Sequence, residues 1–182
     1  MSAKQSVYRA LHRSGLWRVF GRKTLGAIFM LHRVVQRHED DGFQPNRQFA
    51  ITEDVLRTIV DTLEDARVEV VSLDEACARL AGGPASGGDR NARRFACLTF
   101  DDGYRDNFEL ALPLLAARGM PMATYVTSGL VDATDPAWWF ALEDCLRAHA
   151  SIEVTIGERT HSIEAKTAPE KTAAFEQLAR AL

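Results

Sequence analysis

The segment Phe95-Ala96-Cys97-Leu98-Thr99-Phe100 runs without a charged residue and then stops at Asp101-Asp102-Gly103-Tyr104. This is the strongest constraint in the chain. A strand exposed on one face alternates apolar and polar residues, whereas a strand buried on both faces, as in a parallel sheet, reads as a continuous apolar run. Ligand sites of α/β folds lie beyond the carboxyl ends of such strands. Two adjacent carboxylates there repel each other, and a bound cation or a shared proton is the ordinary physical remedy. Strict strand geometry points neighbouring side chains to opposite faces. Gly103 therefore supplies the sharp turn that brings both carboxylates to one site.

The segments on either side read as alternating strands and helices. Gly26–Leu31 reads as a buried strand leading into His32-Arg33-Val34, and residues 38–48 read as a polar loop with Gly42 and Pro45. Thr52 is placed to cap a helix whose first turn holds Glu53 and Asp54, with Ile51 stapling to Leu56 and Val55, Leu56, Ile59, Val60 and Leu63 on one apolar face. Val68–Val71 reads as a short strand, and Ser72-Leu73-Asp74-Glu75 as a capping box for a helix to about Leu80. Residues 82–91 are rich in Gly, Ser and Pro and read as a surface loop without a phosphate-binding signature. Asn107–Arg118 reads as helical, stopped by Gly119, with Pro113 in the first turn of the main segment. Then come a strand over Pro121–Thr127, a helix over Trp138–His149, a hairpin of Ile152–Ile156 with Arg159–Ile163, and a helix over Pro169–Leu182. The alternation predicts a parallel sheet with helical crossovers.

At 182 residues the chain has enough length for one domain with a real core, and 46% hydrophobic and 26% charged residues are ordinary globular values. It is short for a closed barrel of about 250 residues, and its last helix has no stop signal. The expectation is an incomplete or degenerate member of a larger fold. Of the 22 Lys and Arg, eight fall in the first 37 residues, which hold no Asp or Glu; the rest is acidic, with 14 against 25. Residues 1–24 thus form a basic arm, with two short amphipathic pieces in 4–20. Packing on the acidic body is the leading reading of this arm, and contact with an anionic membrane surface is a further one; the pattern gives no nucleic-acid partner. Cys77, Cys97 and Cys145 are far apart and suggest no disulfide framework. Cys97 reads as a small buried hydrophobe. Without a signal-like or spanning segment, the expected location is cytoplasmic, with the arm able to meet the inner membrane face.

Thr99-Phe100-Asp101-Asp102-Gly103 resembles the first motif of the polysaccharide deacetylases, the NodB-homology family. Met30-Leu31-His32-Arg33-Val34 is similar to the strand these proteins often carry before it. Leu112-Pro113-Leu114-Leu115 and Gly119–Val126 resemble the helix and strand after it, and Trp138–Glu143 resembles a helix of one branch. The likeness covers roughly Leu25 to Leu146. It implies a partial, distorted (β/α) barrel over 25–182, with 137–182 as an insertion, that removes acetyl groups from an N-acetylated carbohydrate. It implies Asp101 as general base, Asp102 as ligand to a divalent metal, expected to be zinc, and Tyr104 lining the sugar pocket. His32 is a candidate to approach the same pocket from the neighbouring strand.

The chain departs from the family downstream. Its one look-alike of the H-[ST]-x-x-H metal motif is His161-Ser162-Ile163-Glu164-Ala165, which ends in Ala and falls in the predicted hairpin. His161 is therefore read as exposed, as are His12, His38 and His149. A catalytic zinc site takes three protein ligands, so the chain alone is expected neither to hold zinc tightly nor to catalyse. Two other functions compete: a non-catalytic glycan-binding relative that kept Asp101 and Asp102, and a magnesium-dependent phosphoacceptor domain. Trp138 and Trp139 can stack on a sugar ring or pack in the core, one buried and the other partly exposed.

Overall fold

A computed structural model describes residues 26–38, 42–81 and 94–181. The basic arm and the whole of the Gly-rich loop predicted at 82–91 lie outside the described residues. The central strand is β5, Phe95–Phe100, buried at all six positions. Along its whole length it pairs in parallel with β1, Gly26–Leu31, from Gly26 opposite Phe95 to Leu31 opposite Phe100. Its other edge is shared. β4 (Glu69–Val70) pairs with its first two residues and β6 (Ala123–Thr124) with its last two, both in parallel. Gly26 is where backbone and ring meet closely: a Cβ there would sit 2.4 Å from the Phe95 ring.

The period of two along β5 explains its unbroken apolar run. Ala96, Leu98 and Phe100 enter one core with Leu56, Val60 and Leu63 of α1 (Glu53–Asp65), with Ala111, and with Leu114 and Leu115 of α3 (Leu112–Ala116). Phe95 and Cys97 turn to the opposite face, against Val71 and Ala76, the latter on α2 (Leu73–Ala81). Burial pushes the Cys97 thiol pKa up, in keeping with an inert core residue. Thr52 caps α1 by accepting from Val55 N at 3.3 Å, and Ile51 packs against the same core. Ser72 caps α2 by accepting from Glu75 N, and the Glu75 carboxylate accepts from Arg79.

Several expectations change. β1 is not a buried strand: Ile28 is 51% and Met30 67% exposed. β5 is its one strand neighbour among the described residues, so β1 is an edge strand there. Val55, expected on the apolar face of α1, is exposed. The predicted strands at 68–71 and 121–127 shrink to two residues each, and the second gives way to a one-turn helix, α4 (Ser128–Val131). β2 (Arg33–Val35) and β3 (Ala50–Thr52) form a second, two-stranded parallel sheet that periodicity did not reveal. The loop before β3 contains a helical turn at Arg47–Phe49.

The predicted helix 107–118 forms in two parts. Asn107–Ala111 is a wide turn in which Leu112 N donates to Asn107 O, and α3 (Leu112–Ala116) follows with Pro113 in its first turn. Pro113 has no N–H to give to Glu109, so the bonding pattern changes where it enters. Beyond the sheet come α5 (Trp138–Ala148), the hairpin β7–β8 (Ser151–Ile156, Arg159–Glu164) and α6 (Ala168–Ala179). They share a separate cluster of Phe43, Leu146, Ala165, Ala174 and Phe175. Thr167 and Glu170 form a full capping box on α6. No closed barrel is present among the described residues, and no helix among them is long and apolar enough to cross a membrane.

The layering predicts unequal mutational costs. Leu98→Ala, in the middle of β5, should lower unfolding stability by about 3 kcal/mol. Val55→Ala on the exposed side of α1 should stay within about 0.5 kcal/mol. Denaturant melts of the two variants check the contrast; equal losses would contradict the assigned core.

Candidate functional site

The site is built on the turn that ends β5. Asp101 N donates to Leu31 O and Tyr125 N donates to Phe100 O, both at 2.8 Å, so the strand end is held from both sides. The backbone then enters the left-handed region twice, at Asp102 (φ 69) and Gly103 (φ 70). For Gly103 this is free. For Asp102 it is strained, though Asp tolerates it better than most residues. The expectation that Gly103 alone makes the turn is thus half of the account. The strain falls on a carboxylate residue at a strand end, where strained backbone tends to mark function. The result places Asp101 and Asp102 on the wall of one open cavity of about 500 Å³. Ile28 and Met30 of β1, Thr99, and Tyr125–Thr127 complete much of its wall. Thr127 Oγ1 lies 3.5 Å from Asp102 Oδ1.

Asp102 also lines a second cavity, of about 290 Å³, together with His32 and Tyr104. The structure therefore brings Asp102, Tyr104 and His32 together, with Asp101 on the adjoining side. His32 is half-buried and its ring rests against Phe49, 5.3 Å between centroids.

Tyr104 is fixed by an arrangement that sequence reasoning missed. The Arg33 guanidinium lies 5.4 Å from the Tyr104 ring centroid and 5.3 Å from that of Phe140. Arg33 Nε donates to Asp106 Oδ2 at 2.9 Å, while Asp106 Oδ1 accepts from Val34 N. The two rings meet edge to face. Trp139 Nε1 donates to the Tyr104 hydroxyl at 3.2 Å. Asp106 thus ties the segment after the acidic pair to β2, and the aromatic residues tie it to α5. The spacing of Arg33 and Asp106 in sequence gave no signal of this pair. Burial pushes the Tyr104 phenol up to about 12, and the neighbouring Asp102 carboxylate works in the same direction; the Trp139 hydrogen bond and Arg33 oppose it.

Trp138 is 40% exposed and Trp139 half-buried, so neither is the buried member expected of the pair, although Trp139 packs against the separate cluster of Leu146 and Phe175. His161 is exposed on β8 and lines neither cavity, and Ala165 is fully buried. His149 is exposed as expected, His38 is half-buried instead, and His12 lies outside the described residues. No group of three His, Cys, Asp or Glu side chains able to hold a metal ion occurs among the described residues. Asp102 with His32 nearby falls short of a three-ligand zinc site.

The model of the polysaccharide deacetylase family matches residues 88–181, just over half of the chain and including the whole acidic turn. The chain belongs to this family. Among solved structures it is similar to a de-N-acetylase from Aggregatibacter actinomycetemcomitans, at 17% identity and a TM-score of 0.43. That likeness covers 85% of this chain and 51% of the other, so the chain spans about half the length of that protein. No curated protein matches it.

Two measurements follow from the geometry. Tyr104 keeps its proton above the unfolded value of 10, so its contribution to stability is present below pH 10 and lost between pH 10 and about 12. An ultraviolet titration should show one of the three tyrosines ionising near 12, a step absent in Tyr104→Phe. Asp102→Gly should relieve backbone strain and leave the fold as stable or up to about 1 kcal/mol more so. A large loss of stability in that variant would show that the carboxylate is structural.

Proposed function

We propose that this chain carries the carboxylate half of a hydrolase site that removes N-acetyl groups from a carbohydrate. The observation that carries the reading is the acidic turn: inside the matched family region, two carboxylates face one cleft at the end of a buried parallel strand. In this reading the open parallel sheet is an arc of a distorted (β/α) barrel, and the elements after residue 137 are an insertion.

Asp101 is the general base. It takes a proton from water as the water oxygen attacks the acetamide carbonyl carbon. The C–N bond then breaks, the nitrogen gains a proton, and acetate and a sugar amine are released. Tyr104, neutral at any physiological pH, donates or accepts a hydrogen bond at the rim, and His32 lines the same pocket. Asp102 is the proposed ligand to a divalent cation, with zinc as the expected ion. The described residues do not supply the remaining ligands, so no step here depends on the ion. The same shortfall favours a second reading, a glycan-binding relative that retains the acidic turn without turnover.

Acetate release from an N-acetylated oligosaccharide by the protein as its gene encodes it separates these readings. Asp101→Asn should slow turnover by about 10²–10⁴-fold while sugar binding persists. Unchanged turnover would remove Asp101 from the chemistry, and binding without turnover in the parent protein would favour the second reading. The 182-residue chain itself, loaded with zinc and desalted, should retain less than stoichiometric metal; a full equivalent would contradict the ligand count.

A further inference from the structure

We propose that residues 1–25 of this chain fold back over the open cavity at Asp101 and Asp102 and close it, with an arginine of the arm seated between the two carboxylates. This holds whether or not the ligand of the cleft is a carbohydrate. The cavity wall has two halves. One is apolar: Ile28 and Met30 of β1 with Tyr125 and Val126 after β6, each more than half exposed. A contiguous apolar group of this kind marks a place where something docks. The other half is acidic. Asp101 and Asp102 have no ion-pair partner among the described residues.

The arm has the composition that complements this wall. Its 25 residues carry six Lys and Arg and no Asp or Glu, interleaved with large apolar residues such as Leu11, Leu16, Trp17 and Phe20. Adjacent carboxylates draw a cation, and a guanidinium offers N–H donors in a planar fork that two carboxylates can share. The apolar residues beside it cover Ile28, Met30, Tyr125 and Val126 in the same contact. The cleft then admits a solute only when the arm leaves.

Attachment and reach favour this occupant. The arm joins the sheet at Gly26, the first residue of β1, and Ile28 and Met30 of the same strand are the apolar wall. The carboxylates stand at the other end of β1, where Leu31 O accepts from Asp101 N. The strand between is about 17 Å long. A segment of 25 residues doubling back spans this even if helical, at about 1.5 Å per residue. Tethering next to its target gives the arm an effective concentration on the order of mM. Two other occupants fit less well. A second copy docking by the same face would bring two more carboxylates against these. An anionic membrane surface would repel them.

The test is hydroxyl-radical footprinting of the full chain, read by mass spectrometry. The parent is compared with a variant carrying Lys4→Gln, Arg9→Gln, Arg13→Gln, Arg18→Gln, Arg22→Gln and Lys23→Gln, and with the double variant Asp101→Asn, Asp102→Asn. Circular dichroism confirms that all three are folded. At about 0.01 M salt, where screening is weak, Met30 and Tyr125 should label about fivefold more slowly in the parent than in either variant, as for a surface covered about four-fifths of the time. Raising the salt to about 1 M, where the screening length is about 3 Å, should erase the protection in the parent, a readout that needs no variant. Trp138, exposed and outside this cavity, should label alike throughout. Equal labelling of Met30 in parent and variants at low salt would overturn the proposal, as would protection that survives loss of the arm cations. Release in the Gln variant alone would place the arm away from the carboxylates and also overturn it. Protection that grows with protein concentration would give the face to a second copy instead.

Discussion

The structure depends on how one strand ends. β5 is buried on both faces, so its position is set by two packed layers at once. Its last carbonyl and the next N–H are taken by the neighbouring chain segments at Tyr125 and Leu31. Beyond these bonds the chain leaves the strand direction. It turns through two left-handed residues, and the first of them is an aspartate. Burial of the strand therefore holds the carboxylates in place, and the strain at Asp102 is offset by the packing behind it.

A second layer of contacts converts that turn into a site. Asp106 holds Arg33 and the backbone of Val34, Arg33 packs on Tyr104 and Phe140, and Trp139 donates to the Tyr104 hydroxyl. This links the central sheet to α5 and to the cluster beneath it. The partly buried Arg33–Asp106 pair adds little net stability as a bare ion pair, because desolvation offsets its attraction. Its value lies in direction: it fixes where the Tyr104 ring and the aromatic side of the cavity stand relative to Asp102.

The acidic turn was legible because its signals are local. A continuous apolar run, a carboxylate pair and a glycine lie within ten residues, and the family motif covers the same stretch. The helix caps at Thr52 and Thr167 are equally local, although the second was not singled out. What the sequence hid was long-range. Ile28 and Met30 have the composition of a buried strand, and only the absence of a covering partner on their face among the described residues makes them exposed. The β2–β3 pair, three residues a side, is too short for periodicity to register. The Arg33–Asp106 pair and the hydrogen bonds of Asn46 to Trp139 and Glu143 join residues about 70 to 100 positions apart, and no spacing rule reaches that far.

The central claim is that Asp101 and Asp102 act as a unit on one amide. The most direct test is a double-mutant cycle on acetate release by the gene product, with Asp101→Asn, Asp102→Asn and both together. Groups that share one reaction lose activity non-additively, so the double variant should be about as slow as the slower single. Losses that multiply would mean that the two carboxylates act independently, and the shared site would have to be abandoned.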